Sequence, residues 1–170
     1  MPHKIATIIS TCLLMLMLVG CQMSHFDYMS QHLRIWQQVS LMADDLLGGQ
    51  MSESFNHALQ ARHDLSSFTK NLQQEQQVIS QLRAQLNSLT EKMPTNAHNV
   101  QYKLLAYVDA YEKILQIYIK ASQLPDHYTD AQLAPLLSQL EKALNQYDQA
   151  TLALLDAQQE YKELIHYQDK

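Results

Sequence analysis

After residue 21 only five residues discourage a helix: Gly48, Gly49, Pro94, Pro125 and Pro135. Between them Leu, Ala, Gln, Glu and Lys predominate, side chains that lose little rotamer freedom in a helix. No stretch alternates apolar and polar residues as a half-buried strand would. The breakers divide the chain into four helical segments, expected at about 24–47, 51–93, 96–124 and 135–167.

Each segment carries an apolar stripe. The first opens on Ser24-x-x-Asp27, a capping pair, and closes at Gly48-Gly49, with Phe26, Met29, Leu33, Trp36, Val39, Ala43 and Leu47 as its expected face. The second repeats Met51, Ala58, Leu65, Leu72, Ile79, Leu86 and Met93 every seven residues, with partner positions at Ser54, Ala61, Phe68, Glu75, Leu82 and Leu89. That unbroken register predicts a single coiled-coil-like helix roughly 60 Å long. Asp64-Leu65-Ser66-Ser67 could start a separate helix, and the continuity of the register argues against it.

The third segment, capped by Thr95, carries Val100, Leu104, Tyr107, Tyr111, Ile114, Tyr118 and Ala121, widened by Leu105, Val108, Leu115 and Ile119. A stripe that wide touches more than one neighbour. The fourth begins ambiguously, because Thr129-x-x-Gln132 reads as a capping box while Pro135 would interrupt a helix started there. A short turn at 129–134 followed by a helix from Pro135 is the expectation, with Leu137, Leu140, Leu144, Tyr147, Leu154, Tyr161 and Ile165 as its seam. Four amphipathic helices with short connections specify an all-α fold, an elongated antiparallel four-helix bundle with long coiled-coil-like helices, as one domain over residues 21–170.

The first twenty residues differ. MPHK brings one positive charge, and Ile5 to Val19 form an apolar run broken only by Thr7, Ser10 and Thr11, too short for a comfortable membrane span. The run ends in Leu18-Val19-Gly20-Cys21, which resembles the lipobox of bacterial lipoproteins over residues 1–21. The resemblance implies cleavage between Gly20 and Cys21, diacylglycerol on the Cys21 thiol and an acyl group on the new amine. One acyl chain binds a membrane marginally, whereas several hold it essentially permanently. Gln22 at the second mature position, in place of aspartate, implies the outer membrane and its periplasmic side.

Cys12 lies within the signal, so the mature chain has no second thiol for a disulfide or a cysteine metal cluster. It carries 11 basic and 17 acidic side chains, a net charge of −6, which argues against a nucleic-acid partner.

Folding the helices back at each turn, with the second the longest, sets the first beside its lower half and the last two beside its upper half. The apolar surface of the first hairpin is then partly open to a partner or a second copy. The anchor falls at a middle level of a tapered rod lying along the membrane.

Four constellations bear on chemistry. His25, Met29 and His32 project to roughly one helix face, and thioethers with imidazoles suit copper, although methionine is a common core filler. An early methionine, Met23 or Met29, with the late His166 is similar to how a small periplasmic b-type cytochrome holds haem; the expected topology separates them by roughly 35 Å and rejects it. Glu75 sits on an apolar seam, where a carboxyl has its pKa raised, a property that can serve acid–base work. Counting back from Pro94 puts Lys113 opposite, and an ion pair pinning the helix register is the favoured reading. Tyr107, Tyr111, Tyr118, Tyr147 and Tyr161 could line a groove for a peptide or glycan; filling the core with hydroxyls at the rim fits their spacing better.

The chain has no HExxH, Gly-x-Ser-x-Gly or phosphate-loop motif. No cofactor and no enzymatic role are expected. A lipid-anchored scaffold, adaptor or assembly factor acting through helix contacts, with an envelope protein or itself as partner, is the leading expectation. A module sequestering copper or a small apolar molecule is the alternative.

Overall fold

A computed structural model of the protein describes residues 23–168. Gly20 and Cys21, the expected cleavage and lipidation residues, lie outside them. The described chain is helical with no strand: α1 His25–Gly48, α2 Gln50–Gln60, α3 Ser66–Lys92, α4 His98–Ser122 and α5 Asp130–Gln168, with a single 3₁₀ turn, Thr95–Ala97, between α3 and α4. The all-α bundle is therefore as expected, and four long helices pack on one another.

Capping side chains close the first turns of α1 and α5, whereas the expected Thr95 cap is replaced: Thr95 opens the 3₁₀ turn and Ala97 stands at the α4 N-cap without a side-chain hydrogen bond. Ser24 Oγ accepts the Asp27 amide at 3.1 Å, and at α5 the Gln132 carbonyl accepts both the Thr129 amide at 2.8 Å and its hydroxyl at 3.1 Å. Thus α5 starts at Asp130, five residues before the expected Pro135 start. Pro135 removes one amide, the one that would bond the Ala131 carbonyl, and both residues are exposed where water can replace that bond.

The 51–93 helix does not exist as one piece. The chain leaves α2 through a Schellman motif in which the Arg62 amide donates to Leu59 O at 3.2 Å and the His63 amide to Ala58 O at 3.0 Å. Arg62 takes the left-handed conformation, φ 53°, at the position glycine usually fills. Asp64 then accepts the Ser66 amide at 2.8 Å and starts α3, while Leu65 plugs into the core. The heptad survives the break because Leu65, Leu72, Ile79 and Leu86 remain on the buried side. Periodicity records which residues are apolar; it does not require one helix between them.

This break sets the architecture. α2 folds over one end, where Phe55 packs against Phe68 of α3 and Tyr118 of α4 at ring distances of 5.1 and 5.0 Å. With α3 shortened to 27 residues, roughly 40 Å, it matches α1 and α4 in length. The Met23 amide donates to Lys92 O at 2.9 Å, and Tyr28 packs edge-on to Tyr161 at 5.6 Å. The start of α1, the end of α3, the start of α4 and the last turns of α5 therefore share one end. Residue 23 lies at that end of the rod, not at the expected middle level.

α4 is the shared wall, contacting α1, α3 and α5, and its wide stripe is buried as its sequence implied. The α1 face is rotated from expectation. Tyr28, Met29, His32, Ile35, Val39, Ala43 and Leu46 are buried, whereas Phe26 is 82% exposed. Two apolar stripes overlap on α1, and the one containing a tyrosine and a histidine is the one that packs.

Gly49 joins α1 to α2 where a Cβ would stand 2.8 Å from Asp45 Cα, while a Cβ on Gly48 meets nothing within 4 Å. Gly49→Ala should cost roughly 1–3 kcal/mol in chemical denaturation, the range for overpacking, while Gly48→Ala should be neutral or gain up to about 1 kcal/mol. Equal effects at the two positions would contradict this junction.

Candidate functional site

Apart from a Thr69–Ser122 contact between α3 and α4, two clusters of polar groups tie the helices together inside the bundle. The first, near the Met23 end, joins all four long helices. Gln158 Nε2 of α5 lies 3.1 Å from His32 Nε2 of α1; His32 Nδ1 lies 3.4 Å from Tyr28 Oη; and Tyr28 Oη donates to Gln101 Oε1 of α4 at 3.0 Å. Gln101 Nε2 then donates to Leu86 O of α3 at 3.0 Å and to Thr90 Oγ1 at 2.9 Å.

The directions are mutually fixed. Gln101 spends its amide on α3, so it offers Tyr28 an acceptor, and the Tyr28 oxygen is left to accept from His32 Nδ1–H. His32 Nε2 then accepts from Gln158, and the ring is the neutral Nδ1–H tautomer. Burial pushes His32 down to about 4 and pushes the Tyr28 phenol up. Tyr28, His32, Gln101 and Gln158 are each at least 96% buried, and no buried side-chain nitrogen or oxygen among the described residues lacks a partner.

The second cluster lies halfway along the rod. Tyr107 Oη contacts Ser40 Oγ at 3.0 Å and Tyr147 Oη at 2.8 Å; Tyr111 Oη donates to Glu75 Oε2 at 2.9 Å. Burial raises the Tyr111 and Tyr147 phenols, with Glu75 adding to the first and Tyr107 to the second. Glu75 is raised mainly by burial; the Tyr111 hydrogen bond opposes this and Asp45 adds to it.

The expected sites are redistributed accordingly. His25 and His32 are held apart chemically: His25 Nδ1 bonds Tyr161 Oη at 2.6 Å, and both nitrogens of His32 are engaged in the core. Met29 is buried beside them, 9% exposed. No group of three or more His, Cys, Asp or Glu with metal-binding geometry occurs among the described residues. The separation invoked against a methionine–His166 pair is wrong, since α1 begins level with Tyr161; Met29 belongs to the core and His166 is exposed.

The expected Glu75–Lys113 ion pair is replaced. Lys113 lies at the right level but two residues from Tyr111, about 200° around α4, and it donates to Gln146 of α5 at 3.2 Å. The charge pairing between α3 and α4 falls to Arg83 with Asp109 and Glu112, which sequence reasoning missed. Tyr107, Tyr111, Tyr118 and Tyr161 are buried and Tyr147 is half-buried. They fill the core as their spacing favoured, with the hydroxyls of Tyr107, Tyr111 and Tyr147 bonded inside the bundle and not at the rim. Gln101 and Gln158 were also missed; their one signal is that each falls on an apolar stripe.

Two of the concavities among the described residues have strongly apolar linings. An apolar pocket of about 50 Å³ lies between Phe55, Leu59, Tyr118 and Leu136, well below the roughly 150 Å³ of a cavity that holds benzene. The other is an open groove of about 530 Å³ between α1 and α3, lined by Leu41, Met42, Met51 and Val78 with Asp45 and Glu75 beside them. No helix among the described residues is long and apolar enough to cross a membrane. No family model, curated protein or solved structure matches the chain.

A histidine whose native pKa lies below its unfolded value binds fewer protons folded than unfolded, so stability falls as pH drops from about 6.5 to about 4. His32 should account for up to about 3 kcal/mol of that fall. Urea denaturation at pH 7 and 4.5 should show the gap between the natural protein and His32→Gln narrowing by about 2–3 kcal/mol at the lower pH; parallel curves would count against a buried neutral ring. For the pairings, Lys113→Met should leave stability within about 0.5 kcal/mol while Arg83→Met costs about 1 kcal/mol. The reverse order would restore the Glu75–Lys113 pair.

Proposed function

We propose that this protein is a lipid-anchored, non-enzymatic helical lipoprotein of the bacterial envelope, acting through helix contacts as a scaffold, adaptor or assembly factor. The groove between α1 and α3 carries this reading. Leu41 is 70% exposed and Val78 38% exposed, with Met42 and Met51 half-buried beneath them, so a stretch of helix pair remains apolar on its outside. Exposed apolar surface between two helices is what an amphipathic helix covers, and methionines adapt to different side chains laid against them.

The remainder of the fold supports a binding role over a reacting one. The two polar clusters are spent on one another, with each hydroxyl, amide and ring nitrogen engaged inside the bundle. A carboxylate pair, Asp45 and Glu75, borders the groove with no cation among its lining residues, which suits a basic residue on the incoming helix. The lipobox supplies the membrane location.

Site-specific photo-crosslinking in intact cells tests the reading. A crosslinker at Leu41 or Val78 should give one discrete protein adduct that a crosslinker at exposed Gln149 does not, and Cys21→Ala should weaken it. The same adduct pattern from all three positions, or none from Leu41 and Val78, would overturn it.

A further inference from the structure

The geometry points to the Met23 end of the rod as a membrane-docking face, on which Phe26, Tyr102 and Leu164 seat in the phospholipid headgroup region and the α2 end projects outward. The inference rests on acylation of Cys21, and it concerns how the folded domain meets the lipid.

The argument begins with chain length. Met23 is fixed to the end of α3 by the hydrogen bond its amide N–H donates to Lys92 O at 2.9 Å. Two Cα steps separate residue 21 from residue 23, so they span at most about 7 Å. A diacylglyceryl thioether holds its sulphur at the glycerol level of the bilayer. The headgroup zone on each face is itself only about 5–8 Å deep. An acylated Cys21 therefore brings the start of α1 into or against that zone, and no tether allows the domain to stand clear.

The surface found at this end suits that position. Phe26, the second residue of α1, is the most exposed large apolar side chain described, at 82%. Tyr102, in the second turn of α4, is 67% exposed where the flank groove it lines with Ala150 and Ala153 of α5 opens toward this end, and it has the Lys103 ammonium 5.8 Å from its ring centre. Leu164 is 41% exposed on α5, one turn beyond Tyr161, which packs on His25 and Tyr28. Aromatic rings with a nearby lysine are the side chains favoured where hydrocarbon meets headgroup.

Charge at this end is mixed. Exposed Asp27, Glu160 and Glu163 stand among Lys92 and Lys162, so attraction to anionic lipid is not what seats the face. Contact should be apolar and insensitive to salt, unlike docking by a basic patch. The opposite end, roughly 40 Å away along α3, carries α2 and the Arg62–Asp130 pair.

Brominated lipids give a direct test on the full acylated chain in phosphatidylethanolamine/phosphatidylglycerol vesicles. Trp36→Phe removes the one native indole, and Phe26→Trp or Gln60→Trp, both at exposed positions, places a probe at either end. With Phe26→Trp, emission should shift to the blue and be strongly quenched, unchanged between low and high salt; with Gln60→Trp it should not be quenched. Equal quenching at both ends would mean that the rod lies flat, and no quenching of the Phe26→Trp variant would mean that the face stays off the lipid; either overturns the inference. Intact mass separates its failure from that of the anchor: a diacylglyceryl mass lost in Cys21→Ala with no quenching sinks docking alone, and absence of that mass sinks both.

Discussion

The buried hydrogen-bond chain from Gln158 through His32, Tyr28 and Gln101 to Leu86 O is the constraint on which the arrangement of this bundle depends. It is the one polar connection running through all four long helices, and each link has a single permitted direction. Apolar packing between amphipathic helices tolerates sliding by a turn, because one leucine resembles the next. A donor that slides by a turn loses its acceptor and is left buried without a partner, at a cost of about 1–3 kcal/mol. The chain thereby fixes α1 against the end of α3 and the last turns of α5. It also places the start of the described chain at one end of the rod.

The second dependence is the α2–α3 turn. Had residues 51–93 formed one helix, it would have overrun its neighbours and left the rod tapered, with the anchor at a middle level. The Schellman turn at Arg62 converts the surplus into α2, which covers the far end, where Tyr128 Oη also satisfies Leu59 O at 2.6 Å. A left-handed arginine at a helix terminus costs about 1–2 kcal/mol relative to an ordinary conformation. The insertion of Phe55 and Leu65 into the core offsets it. The outer flank of α1 and α3 is one of the apolar surfaces the bundle leaves uncovered, as is the outer side of α5 at Leu137, Leu152 and Leu155, and the first flank holds the proposed partner groove.

Much of the fold was legible from spacing. The helical class, the cap at Ser24, the wide stripe of α4 and the packing role of the tyrosines all follow from periods and residue types that the structure bears out. The failures have a common physical origin. The heptad across Ala61–Leu65 read as continuity because no glycine marks the Schellman turn. Pro135 read as a start because its single missing amide was weighed more heavily than the capping box before it. On α1 the apolar stripe through Phe26 was chosen over the one through Tyr28 and His32, since nothing local says that a histidine will be buried until three other helices supply its partners. Level was easier to read than azimuth: Lys113 stands opposite Glu75 in height and faces another helix.

The functional reading joins these features: a lipobox-like sequence at Leu18–Cys21, a described chain that begins two residues after it, a polar core committed to holding four helices in register, and an apolar groove along one side. The measurement that tests the central claim most directly is the nitrogen chemical shifts of His32 followed by NMR from pH 7.5 to 5.5. A neutral ring with its proton on Nδ1 across that range is the result the hydrogen-bond chain requires. An Nε2–H tautomer, or titration near the ordinary histidine value of about 6.5, would mean that the chain does not run as described and that the register of α1 is set by something else.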